Sequence, residues 1–273
     1  MSYFSNLSRR KFIWGATCTC GSALILPSCA EVAMSDRKQI KIFSDDYLYS
    51  KAFPAYENFK SKSKLITGTK ESQNIIDIGF SIRDAINAYY NGIEEEDPTK
   101  NFEWEFVLVD NDQTKNAWCM PGGKIAFYTG IMPIAKNDDG IASIMGHEIA
   151  HAVARHSAER MSTAMLVDAG TYALEKLILG QRLPTISKQL RTYGLDLPFN
   201  RKQESEADYL GIIFSNLAGY NIDESYKIWE RMQAKKGGGP SEFFSTHPSP
   251  KNRIKKLKEW IPDVRSQYPS IKS

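Results

Sequence analysis

The 273-residue chain is 42% hydrophobic and 25% charged, an ordinary globular balance that suffices for one sizeable core, or a core with a small subdomain. Its net charge of +3 is too weak to argue for a nucleic-acid partner. A short basic cluster in the tail (Lys251, Arg253, Lys255, Lys256, Lys258) reads as a solvated helix face.

Residues 1–29 read as an export leader rather than as part of the fold. Ser8-Arg9-Arg10-Lys11-Phe12-Ile13 resembles a twin-arginine signal. The apolar run that follows, Phe12 to Leu26, is too short and too rich in small residues for a membrane span. Leu26-Pro27-Ser28-Cys29 resembles a bacterial lipobox, so Cys29 is expected to carry lipid and to become the mature N-terminus. That anchor implies the periplasmic side of a bacterial cell envelope. Ala30-Glu31 carries no inner-membrane Asp signal, which favours the outer membrane. Cys18 and Cys20 leave with the leader, so Cys119 is a lone internal thiol and no disulfide is expected. It reads as a small core or strand residue.

Residues 30–70 read as a tether and a helix from about Asp45 to Lys60, and residues 71–273 as one domain. From Ser72 to Tyr90, Ile75, Ile78, Ile82 and Ile86 recur at helical spacing, with Gly92 as the stop. Trp104–Val109, Asn116–Met120 and Lys124–Thr129 are β-branched and aromatic runs. Asn111-Asp112 and Pro121-Gly122-Gly123 separate them, the pattern of a small antiparallel meander. A long helix follows, from Asp138 or Asp139 to about Met161, then a weaker apolar helix from Met165 to Leu179. A loop with Pro184, Pro198 and Asn200 leads to a helix from Lys202 to Ala218, and Asp223 caps another through Met232. Beyond Gly237-Gly238-Gly239-Pro240, a last helix runs from about Pro250 to Trp260. The sum is an α+β fold, mainly helical, with a small antiparallel sheet.

The chemistry concentrates in His147-Glu148-Ile149-Ala150-His151. Residues four apart share a helix face, so both imidazoles reach one ion, and Glu148 is placed to act as base on a water beside it. A catalytic zinc needs three protein ligands and an open position. In Glu204-Ser205-Glu206-Ala207-Asp208, Glu204 and Asp208 share a face. Glu204 suits the third ligand, and Asp208 suits the acceptor for a ligating imidazole's other N–H. Glu206 falls on the opposite side. One zinc per chain is expected. On a continuous helix His156 lies off the ligand face and reads as a polar helix residue.

His147-Glu148-x-x-His151 with Glu204-x-x-x-Asp208 resembles the gluzincin family that contains HtpX, the CAAX prenyl proteases and the mitochondrial inner-membrane stress protease. Asn116-Ala117 through Ile125 looks like that family's substrate-side edge strand, and Thr246-His247-Pro248-Ser249-Pro250-x-x-Arg253-Ile254 resembles its C-terminal signature. His156-Ser157-Ala158-Glu159-Arg160 is similar to its periplasmic lipoprotein branch. The resemblance covers about residues 70–260. It implies a zincin-type metalloprotease domain whose edge strand (Asn116, Ala117, Trp118, Cys119, Met120) faces the active site and docks an extended peptide by strand addition. It implies a zinc endopeptidase acting on unfolded, misassembled or membrane-associated envelope proteins, with Glu148 assisting attack by water. His247 would stabilise the oxyanion, or occupy the open zinc position in a resting state, and Arg253 would brace the site. Cys119 and Met120 depart from the ordinary apolar residues of such a strand. Two other classes are weighed: a zinc-stabilised chaperone or peptide-binding module that does not cleave, and a small-molecule hydrolase. The intact Glu148 argues against the first and the edge strand against the second.

Overall fold

The computed structural model describes residues 28–35, 37–165, 199–234, 243, 247 and 252–271. The twin-arginine-like segment, the weak helix expected after Met165, the Gly237–Pro240 loop and the Pro248-Ser249-Pro250 segment lie outside the described residues. None of the described helices is long and apolar enough to cross a membrane.

Strands β1 (Ser28–Glu31) and β2 (Lys38–Lys41) form a two-stranded antiparallel ribbon. Helix α1 (Asp45–Lys62) starts where Ser44 Oγ accepts the Tyr47 N–H, with Asp45 and Asp46 in its first turn and Lys60 and Lys62 in its last. After β3 (Leu65–Ile66), Thr69 and Ser72 close a capping box on α2 (Lys70–Gly92). Helix α2 buries Ile75, Ile78, Ile82 and Ile86 along one stripe.

β4 (Glu105–Val109), β5 (Ala117–Met120) and β6 (Lys124–Tyr128) complete a four-stranded sheet in the order β3-β4-β6-β5. The expected antiparallel meander is not what forms. β5 and β6 make an antiparallel hairpin, but β6 runs parallel to β4, so the sheet is mixed. The reason is burial. β6 buries four consecutive residues, Lys124 to Phe127, and takes the centre, and the connection from β4 carries β5 past it to the edge. The hairpin turn needs positive φ at Gly122 (84°) and Gly123 (79°), where glycine costs little. Phe106, Ile125 and Phe127 join α2 and α4 in the main core, while Trp118 and Met120 pack with Tyr56 and Ala52 of α1 on the opposite face.

A single turn (Thr129–Ile131) and α3 (Met132–Ala135) lead to α4 (Asp138–Val153), capped by Asn137, whose side chain accepts the Gly140 N–H. The expected continuous helix to Met161 breaks at Ala154–Arg155, where Arg155 takes φ 56° and pairs with Asp45 of α1. A second helical stretch, α5 (residues 156–165), follows the break. The chain resumes with α6 (Arg201–Leu217), α7 (Glu224–Ala234) and α8 (Arg253–Gln267). α8 outruns its expected end at Trp260 and passes through Pro262, because Ile261 and Val264 are buried against the core. Lys255, Lys256 and Lys258 line its solvated face, but Arg253 does not; it is buried. The mainly helical α+β class is as expected.

Candidate metal centre

α4 and α6 cross in close contact. Two glycines permit it: a Cβ on Gly211 would lie 2.9 Å from the His147 Cα, and one on Gly146 would lie 2.6 Å from the Gly211 carbonyl oxygen. Asn200 caps α6 through a reciprocal pair with Gln203, which sets Glu204 in the first turn, opposite His147 and His151.

His147, His151, Glu204 and His247 bring four potential ligand atoms within 4.8 Å of one another, and all four residues are buried. His151 Nε2 is 3.0 Å from His147 Nε2 and 3.3 Å from Glu204 Oε1. His247 Nδ1 is 3.0 Å from Glu204 Oε1 and 3.3 Å from His147 Nε2. Burial holds His147 and His151 well below the usual imidazole range, so both are neutral with a lone pair to give. Burial also pushes on Glu204, but His247 and Arg253 outweigh it and keep the carboxyl well below its ordinary range. Three imidazole nitrogens and one carboxylate oxygen, crowded and buried, are a donor set that fits zinc.

The residues behind the cluster hold it. Asp208 Oδ1 is 3.1 Å from His147 Nδ1, which leaves Nε2 turned to the centre. Arg253 bridges the two carboxylates of α6, donating from Nη1 to Glu204 Oε2 (2.8 Å) and from Nη2 to Asp208 Oδ1 (2.5 Å). Its guanidinium lies 3.7 Å from the centroid of the Trp229 ring. Burial pushes Asp208 up to about 6 against the pull of Arg253.

Glu148 lies beside the cluster. Burial pushes its carboxyl up to about 7, while His247 pulls it down. Cys119 of the edge strand β5 lies beside this carboxyl, close enough for the Glu148 charge to add to burial in pushing the Cys119 thiol up. Glu148 Oε1 is buried without a hydrogen-bond partner, and His247 Nε2 stands 3.4 Å away. The other strand residues divide by face. Ala117 and Cys119 turn into the main core, whereas Trp118 stacks edge-on against Phe59 of α1 at 4.8 Å. Met120 packs beside Tyr56, and Asn116 is buried just before the strand. The Cys119 thiol is free, and burial pushes it well above its ordinary range.

Several contacts were not visible in the sequence. His156 is fully buried, with Nδ1 2.8 Å from His151 Nδ1 and Nε2 2.9 Å from Glu206 Oε2. Phe199 stacks on His151 with centroids 3.7 Å apart, and its ring takes Arg160 at 3.6 Å. The break at Arg155 makes the His156 contact possible; helical periodicity carried through it points His156 elsewhere.

The sequence pattern of peptidase family M48 matches residues 81–261, about two thirds of the chain and all four potential ligands. The chain belongs to peptidase family M48. The buried donor set within the matched residues fits the zinc expected for the chain. The chain is similar to the mitochondrial metalloendopeptidase OMA1 of Schizosaccharomyces pombe, 41% identical over 60% of this chain and 49% of that protein. The Saccharomyces cerevisiae protein of the same name is 39% identical over 61% and 49%. The β-barrel assembly-enhancing protease of Escherichia coli is 29% identical over 55% and 33%. This chain thus spans about half the length of the yeast relatives. These matches support the M48 family and not the HtpX, CAAX prenyl protease or lipoprotein branch within it. They also overturn the expected bacterial periplasmic location, because the relatives at 41% and 39% identity are mitochondrial by name.

Proposed function

We propose that this chain is a zinc endopeptidase that cuts unfolded or membrane-associated protein segments laid along the free edge of β5. The observation that carries the reading is that Cys119 of β5 lies beside Glu148, which places a strand edge next to a buried base. A peptide paired with that edge as an added strand would pass the cluster with its backbone extended. The similarity to proteins named metalloendopeptidases supports the same class.

His147, His151 and Glu204 would hold the metal. When bound, zinc supplies an electrophile that polarises the scissile carbonyl and eases deprotonation of water. Glu148, with one oxygen unpartnered and a pKa near neutrality, takes the proton of the attacking water and passes it to the leaving amine. His247 has two roles in this scheme. Its Nδ1 among the ligand atoms describes a closed, resting arrangement. Released from it, the imidazole is near enough to donate to the oxyanion.

The competing reading is a zinc-stabilised peptide-binding module that does not cleave. A pure binder has no use for a buried carboxylate poised between metal and strand edge. Purified protein incubated with unfolded casein separates the two. Cleavage that a chelator abolishes and added zinc restores is expected. Casein binding without cleavage, with His247 replaced so that no resting block remains, would overturn the endopeptidase.

A further inference from the structure

A hydrogen-bonded chain leaves the metal centre through His151 and ends in the loop between β1 and β2. We propose that His156, Glu206 and Arg37 are positioning residues for His151, which makes the N-terminal ribbon a working part of the metal centre. The proposal rests on the zinc reading above.

The geometry assigns each proton. His151 turns Nε2 to the cluster, 3.3 Å from Glu204 Oε1. To ligate through Nε2 it must carry its proton on Nδ1, which then donates to His156 Nδ1 at 2.8 Å. His156, accepting at Nδ1, carries its own proton on Nε2 and donates to Glu206 Oε2 at 2.9 Å. The same oxygen accepts from Arg37 Nε at 2.8 Å, and Glu206 Oε1 accepts from Ser35 Oγ at 2.5 Å. Arg37 is pinned on its far side, where Nη1 donates to Glu159 Oε1 at 2.5 Å, and Gln203 Nε2 holds the other Glu159 oxygen at 2.8 Å. The loop presenting Ser35 and Arg37 is closed by the Val32 N–H on the Arg37 carbonyl (2.9 Å) and by the Arg37 N–H on Ser35 Oγ (3.2 Å).

α6 therefore serves both imidazoles. Asp208 reaches His147 Nδ1 directly, and Glu206 reaches His151 Nδ1 through an intervening imidazole. The two routes have the same logic: a carboxylate fixes the tautomer and ring plane of a ligand. They differ in support. The Asp208 brace is tied to Arg253 of α8, whereas the Glu206 brace is tied to a loop that lies 171 residues earlier in the chain.

The test is the zinc dissociation constant of the full chain, read by competition with a chelating dye, beside the thermal midpoint of the metal-free protein. Arg37→Ala and His156→Leu are expected to weaken zinc binding about 10- to 100-fold, the usual cost of losing such a brace. His156→Gln keeps an acceptor for His151 and a donor for Glu206, so its affinity should stay nearer the parent's. The d–d spectrum of the cobalt-substituted Arg37→Ala protein should shift as the His151 ring reorients. A parent that binds no zinc sinks the metal reading itself. A parent that binds zinc, with Arg37→Ala and His156→Leu binding it equally well, sinks the positioning role alone, even if the metal-free proteins melt earlier. Should His156→Leu not fold, Arg37→Ala decides, because Arg37 is partly exposed.

Discussion

Gly146 of α4 and Gly211 of α6 meet backbone to backbone, with no room for a side chain on either. The neighbouring Ser215 Oγ donates to the Ala142 carbonyl at 2.9 Å and ties the same two helices together. This contact sets how far Glu204 and Asp208 stand from His147 and His151. Alanine at either glycine should push the helices apart, at a cost of about 1–3 kcal/mol for overpacking. Both variants should melt earlier and bind zinc more weakly. Thermal denaturation with and without zinc measures both effects, and a Gly211→Ala protein with parental zinc affinity would show that the approach of the helices does not control the site.

Glu148→Gln separates the base from the fold. The substitution keeps the shape and leaves the ligand residues untouched, so zinc content and peptide affinity should survive. Cleavage of unfolded casein should fall by about 10²–10⁴-fold, the usual worth of general base assistance. Rate and peptide affinity are to be measured on the same preparation. Undiminished cleavage would rule out Glu148 as the base.

Glu204→Gln should lose most bound zinc in elemental analysis, as should His147→Ala. Glu204 is fully buried and central to the cluster, and a neutral amide there is a poorer ligand that also leaves Arg253 with one carboxylate in place of two. Full zinc occupancy in Glu204→Gln would move the ligand assignment to His247 as a permanent third ligand.

His247→Ala should split two readouts. Turnover should drop, because an oxyanion partner is gone. A hydroxamate, which seeks the metal directly, should bind more tightly than to the parent, because the imidazole that stands among the ligand atoms is removed. Hydroxamate affinity equal to the parent's would mean that His247 does not block the centre at rest.

What the sequence determined by itself is what one helix turn can hold. His147 and His151 are four residues apart, as are Glu204 and Asp208, and the backbone alone aligns each pair. The stripe of α2 and the three strands were legible for the same reason, since their periodicities are local. Only the tertiary structure decided how these pieces face one another. The order of β5 and β6 followed from which strand could be buried on both faces, and alternation does not encode that. Arg155 adopted a left-handed conformation against Asp45, and one reversed residue turned His156 from an idle helix position into a neighbour of His151. Glu206 lay on the wrong side of its helix for the metal and on the right side for His156. Ser35 and Arg37 carry no local pattern at all. Their place at the centre depends on contacts between residues far apart in the chain, where packing and charge pairing act and sequence spacing is silent.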